Sequence, residues 1–238
     1  MTPDRLGRPD AGSLLSVYPD LDPAFVPVYE IAVELTMTSP ERMYALWQAT
    51  RHVIAAGVPG AIVECGAWRG GSAIVAADAA RSDPERELWL YDTFEGMPEP
   101  GEHDVDFMGV AAKPQLERGD DLIVARAGLD EVRANLRRSG LPESRLHYVQ
   151  GRVQETIPAM APERIALLRL DTDWEDSTRH ELEHLWPRLS RGGVLIVDDY
   201  GHWQGARRAV DCYFAARGDA PLLQRIDYTG RIAVRDRT

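Results

Sequence analysis

Two stretches of the chain place carboxylates where they could act on a ligand. The first, "IVECGAWRGGS", ends an apolar run in Glu64 and then spaces Gly66, Gly70 and Gly71 as E-x-G-x-x-x-G-G. Glycines let a backbone approach closely, and the alanine-rich run after Ser72 reads as a helix whose first N–H groups face the same crevice. A dinucleotide site would show G-x-G-x-x-G with its acid about twenty residues on. An acid inside the motif repels a pyrophosphate and suits a cationic or amino-bearing ligand. S-adenosyl-L-methionine has the matching features: a sulfonium, an α-ammonium and a ribose diol, with no phosphate. Asp92, which closes "LWLYD" just before Thr93, is then placed to accept the ribose hydroxyls.

The second constellation is Asp171 and Asp173 in "LLRLDTDWEDS" with Asp198 and Asp199 in "VLIVDDYGHW". Each pair closes an apolar run. Four carboxylates facing one another repel unless a cation lies between them. Hard oxygen donors suit Mg²⁺, with Ca²⁺ or Mn²⁺ as alternatives, and neither a cysteine nor a histidine pair is expected to be placed to make a zinc site. One such pair alone would be read as helix capping, a task open to Asp176 or Ser177. Two pairs at neighbouring strand ends favour a metal. His202 and Trp203 fit packing or the wall of an acceptor site equally, while His103, His147, His180 and His184 read as ordinary solvated or core histidines.

The elements that must position these groups alternate. Prolines at 3, 9, 19, 23 and 27 break up residues 1–38, which read as an ordered arm or lid, and residues 39–238 as one further domain. Ser39-Pro40-Glu41 is a helix start, and the helix it opens runs to Gly57. There follow a strand at 61–65, a helix at 71–81, a strand at 88–92, a long loop at 93–119 and a helix near 129–139. Further strands are expected at 145–149, 165–170 and 194–197, with helices at 177–189 and 204–217. Short apolar strands separated by helices predict an α/β, doubly wound, mostly parallel sheet. "LLQRID" and "RIAVRD", joined by "YTG", add a hairpin and an antiparallel edge strand. In such a sheet ligands sit beyond the carboxyl ends of the strands. Glu64, Gly66, Asp92, Gly151, Asp171 and Asp198 should therefore meet in one crevice.

Bulk composition narrows the partners. The 238 residues carry a formal charge of −11, which repels nucleic acid and anionic lipid and leaves small molecules as the expected partners. Two cysteines with no metal or disulfide spacing point to a reducing cytoplasm. No apolar run approaches membrane-spanning length, and the first residues show no export signal.

"VECGAWRGGS", "LWLYDTFEGMPEP", "LRLDTDW", "STRHELEHLWPRL" and "GGVLIVDDYGHWQGARRAVD" together resemble the macrocin O-methyltransferase family over residues 35–235. That resemblance implies a class I S-adenosylmethionine-dependent methyltransferase sheet, Rossmann-like, with seven strands, the last pair antiparallel, and an N-terminal helical segment over the acceptor. It implies Mg²⁺-dependent methylation of a sugar hydroxyl on a glycosylated natural product, by a homo-oligomer (dimer or tetramer). Glu64, Gly66, Ser72 and Asp92 match cofactor positions, with Thr93 and Gly151 beside them. Asp171, Asp198 and Asp199 match metal ligands, and Asp171 also matches the proposed base, with Asp173 as its substitute. Glu175 stands where the family pattern implies an aromatic residue. A catechol or phenol O-methyltransferase and a non-catalytic adenosine-binding protein are the alternative readings.

Overall fold

Seven strands form one sheet in the computed structural model, which describes residues 6–119 and 124–236. They are β1 Ala61–Cys65, β2 Leu88–Asp92, β3 Leu146–Gln150, β4 Ile165–Leu170, β5 Leu189–Val197, β6 Gln224–Arg225 and β7 Arg231–Val234. Their order is β3-β2-β1-β4-β5-β7-β6, parallel except for β7, which runs antiparallel to both neighbours. The mostly parallel sheet with an antiparallel last strand is as expected. The sheet's edge, however, is β6, because β7 inserts between it and β5.

Period-two alternation sends neighbouring side chains to opposite sides. Ile62, Leu88, Leu90, Leu167 and Ile196 enter one core; Val63, Tyr91, Leu168, Leu195 and Val197 enter another. The first core is covered by α3 (Pro40–Ala55) and α4 (Gly71–Ala80). A helix apolar on every side has no solvent face, and α4 is buried at nearly every position. What covers its outer side is the N-terminal segment. Its helices α1 (Leu14–Val17) and α2 (Val26–Ala32) put Leu14, Tyr29 and Ala32 into that same core, and the turn Pro23–Phe25 before α2 adds Phe25. The first five residues of the expected arm, and residues 237–238 of the expected domain, lie outside the described residues.

Three boundaries differ from expectation. The 93–119 stretch is not all loop, since it contains α5 (Ala112–Glu117); α6 (Leu129–Leu136) and the short α7 (Val153–Thr156) follow it. Helix α8 spans Glu175–Leu185, two residues ahead of the expected start, because its cap comes from outside the segment: Asp104 Oδ1 accepts from Glu175 N at 2.8 Å. Ser177 instead donates to the Thr172 and Trp174 carbonyls. Strand β5 begins at Leu189, earlier than 194, with a register shift opposite Ile165/Leu167. Helix α9 (Gln204–Arg217) lies where it was expected.

Candidate active site

Strand order reverses between β1 and β4, and a crevice of about 360 Å³ opens there at the carboxyl ends. Gly66, Ser72, Asp92, Thr93, Gly151, Asp171, Asp198 and Asp199 all line it. Glu64 does not; it lies buried beneath. Two glycines explain how the chain closes around the opening. Gly66 has φ +86°, and a Cβ there would fall 1.9 Å from the Asp171 carbonyl oxygen, so only glycine lets β1 end against β4. A Cβ on Gly71 would meet Leu35 backbone at 2.6 Å, so this glycine serves the approach of the N-terminal segment rather than a ligand.

At one end of the crevice, Asp92 is a backbone organiser. Its Oδ2 accepts from Ala67 N at 2.7 Å and Trp68 N at 3.0 Å, and its Oδ1 from Phe94 N at 2.8 Å. Thr93 Oγ1 donates to Gly96 O at 2.7 Å, and Gly151 N donates to Asp92 O at 3.0 Å. Ser72 Oγ lies 3.1 Å from Thr36 Oγ1 and 3.3 Å from Thr38 Oγ1, so it ties α4 to the N-terminal segment.

Beneath the crevice sits a residue that no motif had singled out. Arg169, on β4 and 2 % exposed, donates to Glu64 Oε1 at 2.6 Å, to Asp198 Oδ1 at 2.7 Å and to Thr38 Oγ1 at 3.1 Å. It also pairs with Asp171 Oδ2 at 2.7 Å. From α3, Arg42 pairs with the other Asp198 oxygen and with Asp227 Oδ2 at 2.9 Å. Burial works against ionisation of Asp198, but Arg169 and Arg42 outweigh it and hold the carboxyl below its ordinary range. Glu64 differs: burial outweighs Arg169 and pushes it up to about 7, and its Oε2 has no partner.

At the other end, carboxylate oxygens of Asp171, Asp173 and Asp199 lie within 4.8 Å of one another. Asp173 N donates to Asp199 Oδ2 at 3.3 Å, and Asp173 holds φ +65°, which turns the "DTD" segment back toward β5. Burial first, and then mutual repulsion, raise all three: Asp173 to about 7, Asp171 and Asp199 well above the carboxylate range. Asp198 abuts this cluster but is not one of the three, its oxygens being turned to the arginines. Six carboxylates, Glu64, Asp171, Asp173, Asp198, Asp199 and Asp227, thus lie around two guanidinium groups, and the cluster of Asp171, Asp173 and Asp199 is a donor set that fits a hard divalent cation. The glycine-lined end, where Gly66, Asp92, Thr93 and Gly151 meet, leaves room for a cofactor, with Glu64 beneath it rather than in it.

Comparison with known proteins agrees with this geometry. Residues 29–235 match the family described as macrocin-O-methyltransferase (TylF). The chain belongs to the macrocin O-methyltransferase family. It is an S-adenosylmethionine-dependent O-methyltransferase. It is 38 % identical, over 89 % of its length and 80 % of the relative's, to the 8-demethyl-8-(2,3-dimethoxy-alpha-L-rhamnosyl)-tetracenomycin-C 4'-O-methyltransferase of Streptomyces olivaceus. It is 32 % identical, over 82 % of its length and 76 % of the relative's, to the mycinamicin III 3''-O-methyltransferase of Micromonospora griseorubida. Among solved structures, the O-methyltransferase NovP superposes with a TM-score of 0.76 at 34 % identity, covering 85 % of this chain and 83 % of that one.

In this methyltransferase Glu175, standing where an aromatic residue was expected, holds two neighbours: its carboxylate meets Arg208 Nε at 3.0 Å and His103 Nδ1 at 2.8 Å. Trp203 packs edge-on to Trp174, with ring centres 5.0 Å apart, so it is both core and crevice wall. His202 lines the crevice, its Nδ1 3.0 Å from the Tyr228 hydroxyl. His180 and His184 lie on α8 outside the crevice, and, contrary to the expectation that no histidine pair is placed for a metal, their ligand atoms and that of Glu183 lie within 4.8 Å of one another. Arg169 carried one sequence signal, a charge inside the apolar strand "IALLRL", since an interior strand charge must find a buried counter-charge. Arg42, Thr38 and Asp227 carried none.

Among the described residues no helix is long and apolar enough to cross a membrane.

Proposed function

We propose that this methyltransferase methylates a sugar hydroxyl of a glycosylated natural product and that it uses a divalent cation, Mg²⁺, to do so. The observation that carries the reading is the separation of two chemistries in one crevice. The glycine-lined end, with Asp92, is suited to the cofactor, and the carboxylate cluster is suited to a cation and a hydroxyl-bearing acceptor. The tetracenomycin relative is named for the methylation of a rhamnosyl-bearing compound, which supports the acceptor class. Asp171, Asp173 and Asp199 would hold the cation, which would supply Lewis-acid assistance to the hydroxyl, while the oxygens of Asp198 are engaged by Arg169 and Arg42.

The chemical problem is the proton. A sugar hydroxyl with a pKa near that of water, about 15.7, stands roughly 12 units above an ordinary carboxylate. A bound divalent cation would narrow that gap and orient the hydroxyl. Asp171 takes the proton on one carboxylate oxygen as the hydroxyl oxygen bonds to the methyl carbon and the methyl–sulfur bond breaks to leave a neutral thioether, while Arg169 holds its Oδ2 in place. Asp92 keeps the 67–68 turn in shape for the cofactor. Working as a homo-oligomer, a dimer or tetramer in the cytoplasm, completes the reading.

The test is methyl transfer from radiolabelled S-adenosylmethionine to panels of glycosides and catechols, with and without exhaustive chelation. Turnover of glycosides that stops with EDTA and returns with Mg²⁺ is expected. Turnover of catechols alone would favour the phenol reading, and tight cofactor binding with no turnover the non-catalytic one.

A further inference from the structure

Helix α8 carries a second set of metal-type donors, and their chemistry differs from that of the crevice. Its sequence "HELEH" puts His180 and His184 four residues apart with Glu183 between them, so the three share one face of the helix. One ligand atom from each lies within 4.8 Å of the others, and the two imidazole rings stand edge to face with centres 4.4 Å apart. Both rings are half-buried and Glu183 is exposed, so an ion can reach them from solvent.

The ring of His180 is already set for ligation. Its Nε2 lies 3.0 Å from the Ile157 carbonyl oxygen, and a carbonyl only accepts, so Nε2 carries the proton of the neutral ring and Nδ1 keeps the lone pair. Metal-bound histidines show the same arrangement, with the second ring N–H given to a backbone carbonyl. Two cations compete with an ion here, and neither is held firmly against it. Arg179 Nη1 meets Glu183 Oε1 at 3.2 Å, but both side chains of the pair are exposed, and such pairs are weak. Arg188, whose charge reaches His184, is drawn onto the Ala161 and Pro162 carbonyls at 3.1 and 3.0 Å.

We propose that His180, Glu183 and His184 form a surface site for a borderline divalent metal, Zn²⁺ foremost, with water in the fourth position. Imidazole nitrogen favours such ions over Mg²⁺, so this site and the carboxylate cluster divide two metal chemistries between them. The same five residues read H-E-x-x-H, the pattern of zinc peptidases, in which the glutamate serves as general base. Here that glutamate is turned elsewhere: Glu181 is fully buried, and its Oε1 accepts from Thr172 Oγ1 at 2.9 Å, just beyond the end of β4. The site therefore holds an ion without the base that hydrolysis needs, and the ion links successive turns of α8.

The experiment titrates Zn²⁺ into the untagged enzyme kept in excess Mg²⁺, following the histidine ring nitrogens by ¹H–¹⁵N NMR and the affinity by calorimetry. Resonances of His180 and His184 should shift with Zn²⁺ while those of the other histidines stay in place. His184→Gln should weaken Zn²⁺ binding by at least about 10–100-fold, the loss that even an outer partner of a ligand brings. It should leave methyl transfer measured with Mg²⁺ as in the wild type. Zn²⁺ should also raise the thermal midpoint of the wild type but not that of His184→Gln, since an ion bound to the folded state stabilises it. Ring resonances of His180 and His184 that do not move in the wild type overturn the proposal whatever the variant does, and so does an affinity for Zn²⁺ no greater than that for Mg²⁺. Zn²⁺ binding that survives His184→Gln and is lost in Asp199→Asn overturns it as well, because the ion would then lie in the crevice. Growth in oligomer size on gel filtration with Zn²⁺ would place the ion between chains and overturn a site within one helix.

Discussion

Arg169 donates to Glu64 at 2.6 Å from the middle of the sheet, so the acid of the glycine motif is anchored from below by a guanidinium before any ligand arrives. The same side chain reaches Asp171 and Asp198, so the cofactor end and the carboxylate cluster share one buried cation. Removing one partner of a buried ion pair strands the others, which typically costs about 3–5 kcal/mol. Arg169→Met should therefore lower the urea midpoint strongly, with Arg169→Lys intermediate because it keeps the charge and loses the fork. An unchanged midpoint for Arg169→Met would show that Glu64 and Asp198 are neutralised in some other way.

Asp92 gives a cleaner test of the cofactor end, because its variants can be separated by shape. Asp92→Ala removes the acceptor for Ala67 N and Trp68 N as well as any bond to a ribose hydroxyl. Losing a hydrogen bond to a charged group costs about 1.5–3 kcal/mol, so calorimetry should show S-adenosylmethionine binding weakened at least about tenfold. Asp92→Asn, with one acceptor oxygen left, should fall between the two. Equal affinity in wild type and Asp92→Ala would remove Asp92 from the cofactor site.

The strands and the crevice were legible because both depend on local pattern. β1, β2 and β4 are short apolar runs ended by Cys65-Gly66, Asp92 and Asp171, and such ends converge in any doubly wound sheet. What escaped was non-local. The start of α8 is set by Asp104, seventy-one residues upstream of Glu175, and nothing in "DWEDST" announces it. Gly71 looked like part of a ligand cradle but answers to Leu35. The charge balance of the aspartates was misjudged for the same reason, since Arg42 enters from a helix far off in sequence and takes an oxygen of Asp198.

Glu181, behind the carboxylate cluster and repelled by Asp199, supplies a pH prediction. It is fully buried on α8, its Oε1 accepting from Thr172 Oγ1 at 2.9 Å and its Oε2 unpartnered, and burial pushes it up to about 8. With the folded value above the unfolded one, the folded state holds the proton more tightly between about pH 4.5 and 8. Stability from this group is therefore full below that window and is lost as pH rises through it. Glu181→Gln keeps the Thr172 bond and cannot ionise, so its urea midpoint should fall less than that of the wild type between pH 5 and pH 8.5. Parallel pH profiles for the two proteins would mean that Glu181 does not titrate in this range.

The division of labour among the aspartates is the sharpest expectation. Asp171 and Asp199 both belong to the cluster, yet Asp171 alone is gripped by Arg169, which fixes one oxygen and leaves the other toward the crevice. Ligation depends on oxygen donors, which asparagine retains in part, whereas accepting a proton requires a carboxylate. In Asp199→Asn, then, activity lost at low Mg²⁺ should return substantially as Mg²⁺ is raised, because only affinity has changed. In Asp171→Asn saturating Mg²⁺ should restore acceptor binding but leave kcat depressed by about 10²–10⁴, the usual loss for a general base. The comparison is made by titrating Mg²⁺ at saturating glycoside and following labelled methyl transfer. Near wild-type turnover of Asp171→Asn at high Mg²⁺ would reduce Asp171 to a ligand and pass the proton to Asp173, whose carboxylate stands in the same cluster and whose burial already raises it to about 7.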